Sequence, residues 1–196
     1  IGCEVALAAR WPGHIPPGTI RSEFINLKDL APTFCEAGEV EIPAAMTDGG
    51  SRSLLPLLTS PQAPGCGMVE PERDCVVIGR ERHVAIARDD FLPYPQRAIR
   101  TADHLLILNF APDRWPMGEP TGFEEPGSEP PPFELLAEFT HAAFADMDAS
   151  PTKAWLIHHR EELDVEPLYD LAFGKRPRVE LYDLRADPHY MRNVAG

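Results

Sequence analysis

The chain has 196 residues, 43% of them apolar, enough to build a core for one domain or one and a fraction. Thirty-one acidic against 18 basic residues give a formal charge of −13, which excludes long-range attraction to nucleic acid or an anionic membrane surface. Every apolar run is far shorter than the roughly 20 residues needed to span a bilayer, and 22 prolines imply long irregular connections.

The first residues, Ile1 to Arg10, carry neither a basic leader nor an initiator methionine and suggest a chain cut from something longer. Val5 to Ala9 is predicted as a short buried strand, stopped by Arg10-Trp11-Pro12-Gly13. A helix follows near Ile25 to Ala37, with Phe24, Leu27, Leu30, Ala31 and Phe34 at helical spacing and Gly38 as the stop. Pro32 either kinks it or places its proper start near Ala31, with Asp29 close to the cap. Ser53 to Leu58 reads as a short apolar turn or helix, and Ser60 to Gly67 as a connection, giving domains 1–68 and 69–196.

Beyond that boundary Cys75 to Gly79, His83 to Ala87, Arg97 to Arg100 and Leu105 to Asn109 read as strands, mostly antiparallel because their connections are short. Seven prolines between Ala111 and Pro132 rule out regular structure and predict a long surface excursion. Helical periodicity returns over Phe133 to Phe144. A second helix starts at Ser150, an N-cap followed by Pro151 at the first helical position, and runs to about Glu161. An alternation ending at Leu184, then Asp187-Pro188, predicts a last strand turning into a new helical start. Cysteines 3, 35, 66 and 75 show no metal-ligand spacing and would allow three disulfide pairings if oxidised; a buried thiol suits Cys75, which heads Val76-Val77-Ile78.

Gly79-Arg80-Glu81-Arg82-His83 sets two guanidiniums and an imidazole in one loop, an arrangement suited to sulfate oxygens, although a solvated hairpin turn has the same composition. Arg97 has a similar case against simple pairing with an acid across the sheet. His158-His159 with Glu161 and Glu162 is better read as a hydrated helix face than a metal cluster, since adjacent helical residues point about 100° apart. Lys175-Arg176 with Arg178 reads as a solvated turn. Trp115, in the proline-rich excursion, could stack on a sugar.

The tail Glu180-Leu181-Tyr182-Asp183-Leu184-Arg185-Ala186-Asp187-Pro188, closing on Asn193-Val194-Ala195, resembles the final segment of sulfatases. Arg10-Trp11-Pro12-Gly13, Asn26-Leu27-Lys28-Asp29-Leu30-Ala31-Pro32-Thr33 and Arg52-Ser53-Leu54-Leu55-Pro56-Leu57-Leu58 resemble further segments of that family, in the same order. Tyr94-Pro95-Gln96-Arg97 and Ser150-Pro151-Thr152 look most like N-sulfoglucosamine sulfohydrolases. The resemblance implies an α/β fold: residues 1–68 as the edge of a large sheet-and-helix catalytic domain of alkaline-phosphatase type, then a small antiparallel sheet with packed helices. It further implies hydrolysis of sulfate esters or N-sulfates of sugars, with calcium and a formylglycine made from the cysteine of C-x-P-S-R. No cysteine here has that context, so nucleophile and calcium ligands are expected in a missing N-terminal half, and no catalytic or metal residue in this chain. The resemblance places Arg82, His83 and Arg97 as substrate-binding residues at the rim of the family's pocket, and its members are commonly exported. Two rival readings stay open: a phosphonate monoester hydrolase or phosphodiesterase of the same superfamily, and a non-catalytic carbohydrate-binding or interaction module.

Overall fold

A computed structural model describes residues 5–61 and 67–196; Cys3 and Cys66, and any pairing they make, lie outside these. The fold is mixed, with short helices and a four-stranded antiparallel sheet in the order β1-β2-β3-β4 (Cys75–Arg80, Gln96–Thr101, His104–Asn109, Val179–Asp183). The chain forms two compact units, Ile1–Ile78 with Ile99–Asp103, and Gly79–Ala98 with His104–Gly196.

In the first unit the strand expected at Val5 to Ala9 does not form; residues 5–10 are exposed and without regular structure, and no backbone among the described residues pairs with them in a ladder. The predicted helix divides into a 3₁₀ turn, Leu27–Asp29, and helix α1, Leu30–Ala37. Asn26 caps the turn from both sides: its side chain accepts from Lys28 N, and Asp29 Oδ2 accepts from Asn26 N. Asp29 also accepts from Arg52 N (3.0 Å) and from Arg73 Nη1 (3.0 Å), and Thr33 Oγ1 accepts from Leu54 N (2.7 Å). Arg73, buried, donates further to the carbonyls of Arg52 and Ser53. Two segments distant in sequence are thereby pinned through one carboxylate, and α3 (Leu55–Thr59) follows with Pro56 in its first turn, where a missing N–H costs nothing. A four-residue helix, α2 (Ala44–Thr47), lies between them.

The second unit has its core under helices α4 (Phe133–Glu138), α5 (Pro151–His158) and α6 (Glu166–Phe173). Phe144 is fully buried at its centre, stacked on Phe173 at 4.4 Å and edge-on to Phe123 and Trp115. Ser150 caps α5 by accepting from Lys153 N, with Pro151 first in the helix, as the spacing predicts. Residues 111–132 contain no helix or strand, yet they are not merely a surface excursion: Phe123 and Pro120 are buried. Trp115, a candidate sugar platform by its position in the sequence, instead packs its ring against the core and carries Lys175 Nζ 5.1 Å from its centroid.

Strands β3 and β4 pair antiparallel, with Leu106 opposite Leu181 and His104 opposite Asp183. The tail then folds back along β4: Asn193 Oδ1 accepts from Leu181 N, Asn193 Nδ2 donates to Val179 O, and Val194 N donates to Leu181 O. Asp183 Oδ1 accepts from Arg185 N and Asp187 Oδ2 from Arg192 N, so the closing motif is built from turns; the expected helix after Asp187-Pro188 is absent. Covering a strand edge in this way removes a row of unpaired backbone groups.

Candidate functional site

The loop joining β1 to β2, residues 81–95, is predicted as a strand over His83 to Ala87, but it forms bends and turns instead. The reason lies in its backbone partners. Val84 N is taken by the Asp146 carboxylate (2.7 Å) and Tyr94 N donates to Glu81 O (2.6 Å), which closes the loop on itself and leaves no ladder for a strand.

Arg82 and His83 are both exposed at the start of this loop. Arg97, at the start of β2, is also exposed; its Nη2 donates to Glu81 Oε1 (2.5 Å) and its Nη1 to Gln96 O (2.8 Å). Gly79 permits that approach, because a Cβ there would lie 3.3 Å from Arg97 Cδ. The structure therefore sets Arg97 beside the backbone of Arg80 and Glu81, immediately before Arg82. Arg97 is engaged by an acid at the surface, where such a pair is worth about 1 kcal/mol or less, so an anion that offered two acceptors could displace it.

Beneath the turn is a buried polar layer that no sequence motif announces. Tyr94 is fully buried, and the guanidinium carbons of Arg80 and Arg88 each lie 5.6 Å from its ring centroid. Both arginines donate through Nη2 to the carbonyl of Pro116, at 2.6 and 2.7 Å. Arg88 also donates to Trp115 O (2.8 Å) and to Asp146 Oδ2 (2.8 Å), an ion pair whose side chains are essentially closed to solvent. Burial lowers the Arg80 pKa, with repulsion from Arg88 adding to it and Asp146 opposing. Burial likewise raises the Tyr94 hydroxyl.

The other charged clusters do not assemble. His158 Nε2 lies 3.0 Å from Pro131 O, while His159 stacks on Trp155 and meets Glu162 at 2.6 Å, so the two imidazoles serve different partners. Arg176 donates to the carbonyl of Leu171. A shallow cleft lined by Thr121, Glu129, Pro130, Pro131, Pro132 and His158 carries a carboxylate and neither lysine nor arginine. Among the described residues no group of three His, Cys, Asp or Glu side chains could hold a metal ion. Cys35 and Cys75 are free thiols; Cys75 is half-buried, its pKa raised by desolvation and by Asp74.

No family model matches the chain. Over 110 residues, 56% of the chain, it is 33% identical to an ulvan-active sulfatase of Formosa agariphila, of which the match covers 20%. The chain thus spans about a fifth of the length of that curated relative. A protein solved in complex with its substrate D-glucosamine-2-N,6-O-disulfate superimposes with a TM-score of 0.35 at 20% identity, covering 86% of this chain and 19% of the other.

Proposed function

We propose that this chain is the C-terminal portion of a sulfatase that hydrolyses sulfate esters or N-sulfates of sugars, and that its own contribution is to hold the sugar. The observation that carries the reading is the 33% identity to a sulfatase over more than half the chain. The exposed Arg82–His83 turn, with Arg97 beside it, supports the sugar-binding role: these are donors matched to sulfate oxygens and set on a fixed base. Within the sulfatases, the N-sulfoglucosamine hydrolases fit best by the Tyr94-Pro95-Gln96-Arg97 and Ser150-Pro151-Thr152 segments.

Calcium and formylglycine, which the sulfatase reading implies, find no fitting donor set or cysteine motif among the described residues. The described residues contain no acidic triad for the ion, and neither Cys35 nor Cys75 stands in a C-x-P-S-R context. The reading assigns both groups to an N-terminal half of the full protein, and no chemical step is assigned to these 196 residues. What they can do is bind and orient: a guanidinium offers two parallel N–H donors to one sulfate group, and the His83 ring adds an N–H donor.

The test is hydrolysis by the full-length protein and by the 196-residue chain, with 4-nitrophenyl sulfate, glucosamine N-sulfate and a phosphonate monoester. The expected result is sulfate release by the full protein and none by the chain alone. Preferential cleavage of the phosphonate ester would replace the sulfatase reading with the phosphoryl-hydrolase one. Turnover by the chain alone, abolished by a substitution within it, would overturn the division of labour.

A further inference from the structure

We propose that Arg88 and Asp146 are positioning residues, which hold the Arg82–His83 turn in the conformation that meets a sulfated sugar; this rests on the reading of the turn given above. The two oxygens of Asp146 have separate tasks. Oδ1 accepts from Val84 N (2.7 Å), the residue directly after His83, and Oδ2 accepts from Arg88 Nη2 (2.8 Å). One carboxylate therefore closes the short segment from Val84 to Arg88 into a ring. Arg88 anchors that ring to the 111–118 backbone through the carbonyls of Trp115 and Pro116.

The adjoining backbone is fixed just as tightly. Ala87 O accepts from Glu119 N (2.8 Å), and Gly118, at φ +98°, packs so closely that a Cβ would lie 2.9 Å from both Ala87 O and Ala145 N. Tyr94 N on Glu81 O pins the far end. Arg82 and His83 are left as the exposed side chains at the head of a loop whose backbone is held on both sides.

A buried ion pair is a poor way to gain stability alone, because desolvation offsets most of the attraction and apolar residues of equal size often do as well. An apolar pair could not accept the Val84 N–H, however, and could not fix the turn. The placement of the pair, one residue from the exposed donors, is what a preorganised binding turn requires.

The experiment uses the 196-residue chain and follows binding of glucosamine N,6-disulfate by amide shifts, with N-acetylglucosamine as the unsulfated control. Asp146→Asn keeps an acceptor for Val84 N but removes the charge facing Arg88. It should weaken binding about 10-fold, and combined with Arg82→Ala it should weaken binding no further than Arg82→Ala alone, because both changes abolish one contact. Arg88→Met with Asp146→Leu, an apolar pair whose folding the β3–β4 amide shifts check, should show the same loss. Full additivity, or wild-type affinity in either variant with the β3–β4 amides intact, would overturn the proposal. If the wild-type chain binds neither sugar, the reading of the turn fails. The positioning role then rests on hydrogen exchange at residues 82–86, which should quicken by about 10-fold or more in Asp146→Asn while β3 and β4 are unchanged; equal exchange would refute it.

Discussion

Lys153 offers a sharp test of how the second unit is held together, because it is a cation with almost no access to water. It is 1% exposed, on α5, and its Nζ donates to the carbonyls of Met147 (2.7 Å), Phe144 (3.1 Å) and Thr140 (3.3 Å). These three carbonyls belong to the turn that inserts Phe144 into the core, so the ammonium ties that turn to the helix. Burial lowers its pKa to about 8, against a weaker attraction from Asp148. In the unfolded chain the same group titrates near about 10.4. The folded state therefore holds fewer protons than the unfolded one between about pH 8 and 10.4, and stability from this group rises with pH across that window and is flat below it. At about 1.4 kcal/mol for each pH unit of that window, the gain is on the order of 3 kcal/mol. Lys153→Met removes both the charge and the donors; it should cost roughly 2–4 kcal/mol near neutral pH by leaving carbonyls unpaired, and it should erase the alkaline gain. Urea melts of both proteins at pH 7, 8, 9 and 10 decide the matter. The stability difference should widen from pH 8 upward; a constant difference, or one that narrows, refutes the idea that Lys153 is buried as a strained cation.

Three further outcomes follow from named contacts. In the full-length sulfatase proposed above, Arg82→Ala and His83→Ala should each lower kcat/KM about 10- to 100-fold on a sulfated sugar and leave a small aryl sulfate unaffected, whereas Arg97→Ala should cost less because that side chain must first leave Glu81; equal losses on both substrates would show a folding defect or a direct chemical role. Ser150→Ala removes the cap on α5 and should lower stability by about 1 kcal/mol in a thermal melt, with Ser150→Asp neutral. Amide exchange should be faster over residues 5–37 than over 75–109, since the first of these segments begins exposed and leaves Leu27 and Phe34 in water; equal protection in a monomeric sample would contradict it.

What could be read from the sequence was local. Ser150-Pro151 announces the start of α5, because caps and prolines act over three or four residues; of the two readings of Pro32, the later helix start holds, with Pro32 in the first turn of α1 and Asp29 at its N-cap position without a side-chain cap bond. Strands β1, β2 and β3 were legible from their apolar content and the turn residues around them. Val5 to Ala9 misled because an apolar run states only that a segment suits burial, and among the described residues nothing buries it. His83 to Ala87 misled because its backbone is captured by a carboxylate 62 residues away. The helix α6 went unread: Val165 gives no cap signal, and Pro167 suggests a break where it sits in the first turn. The same distance effect divides the site. Arg82 and His83 stand out as charged neighbours in a turn, while Arg88 and Asp146 meet across 58 residues and carry no motif.

The charge balance gains meaning once the cations are placed. Arg73, Arg88 and Lys153, each no more than 3% exposed, are engaged inside the two units by backbone carbonyls and carboxylates. Glu23, Asp29, Asp146 and Glu180 are buried as well, so the interior charges nearly cancel and the acidic excess of −13 falls almost wholly on the surface, where an approaching sulfated sugar meets repulsion. At physiological ionic strength that field decays over about 8 Å, whereas a guanidinium–sulfate contact acts at hydrogen-bond range. A turn with exposed donors can then bind an anion on an acidic chain only if its donors are already in place, since nothing at long range compensates for ordering them on contact. That requirement makes the buried layer of Arg80, Arg88, Tyr94 and Asp146 as much a part of the proposed binding turn as the exposed side chains above it.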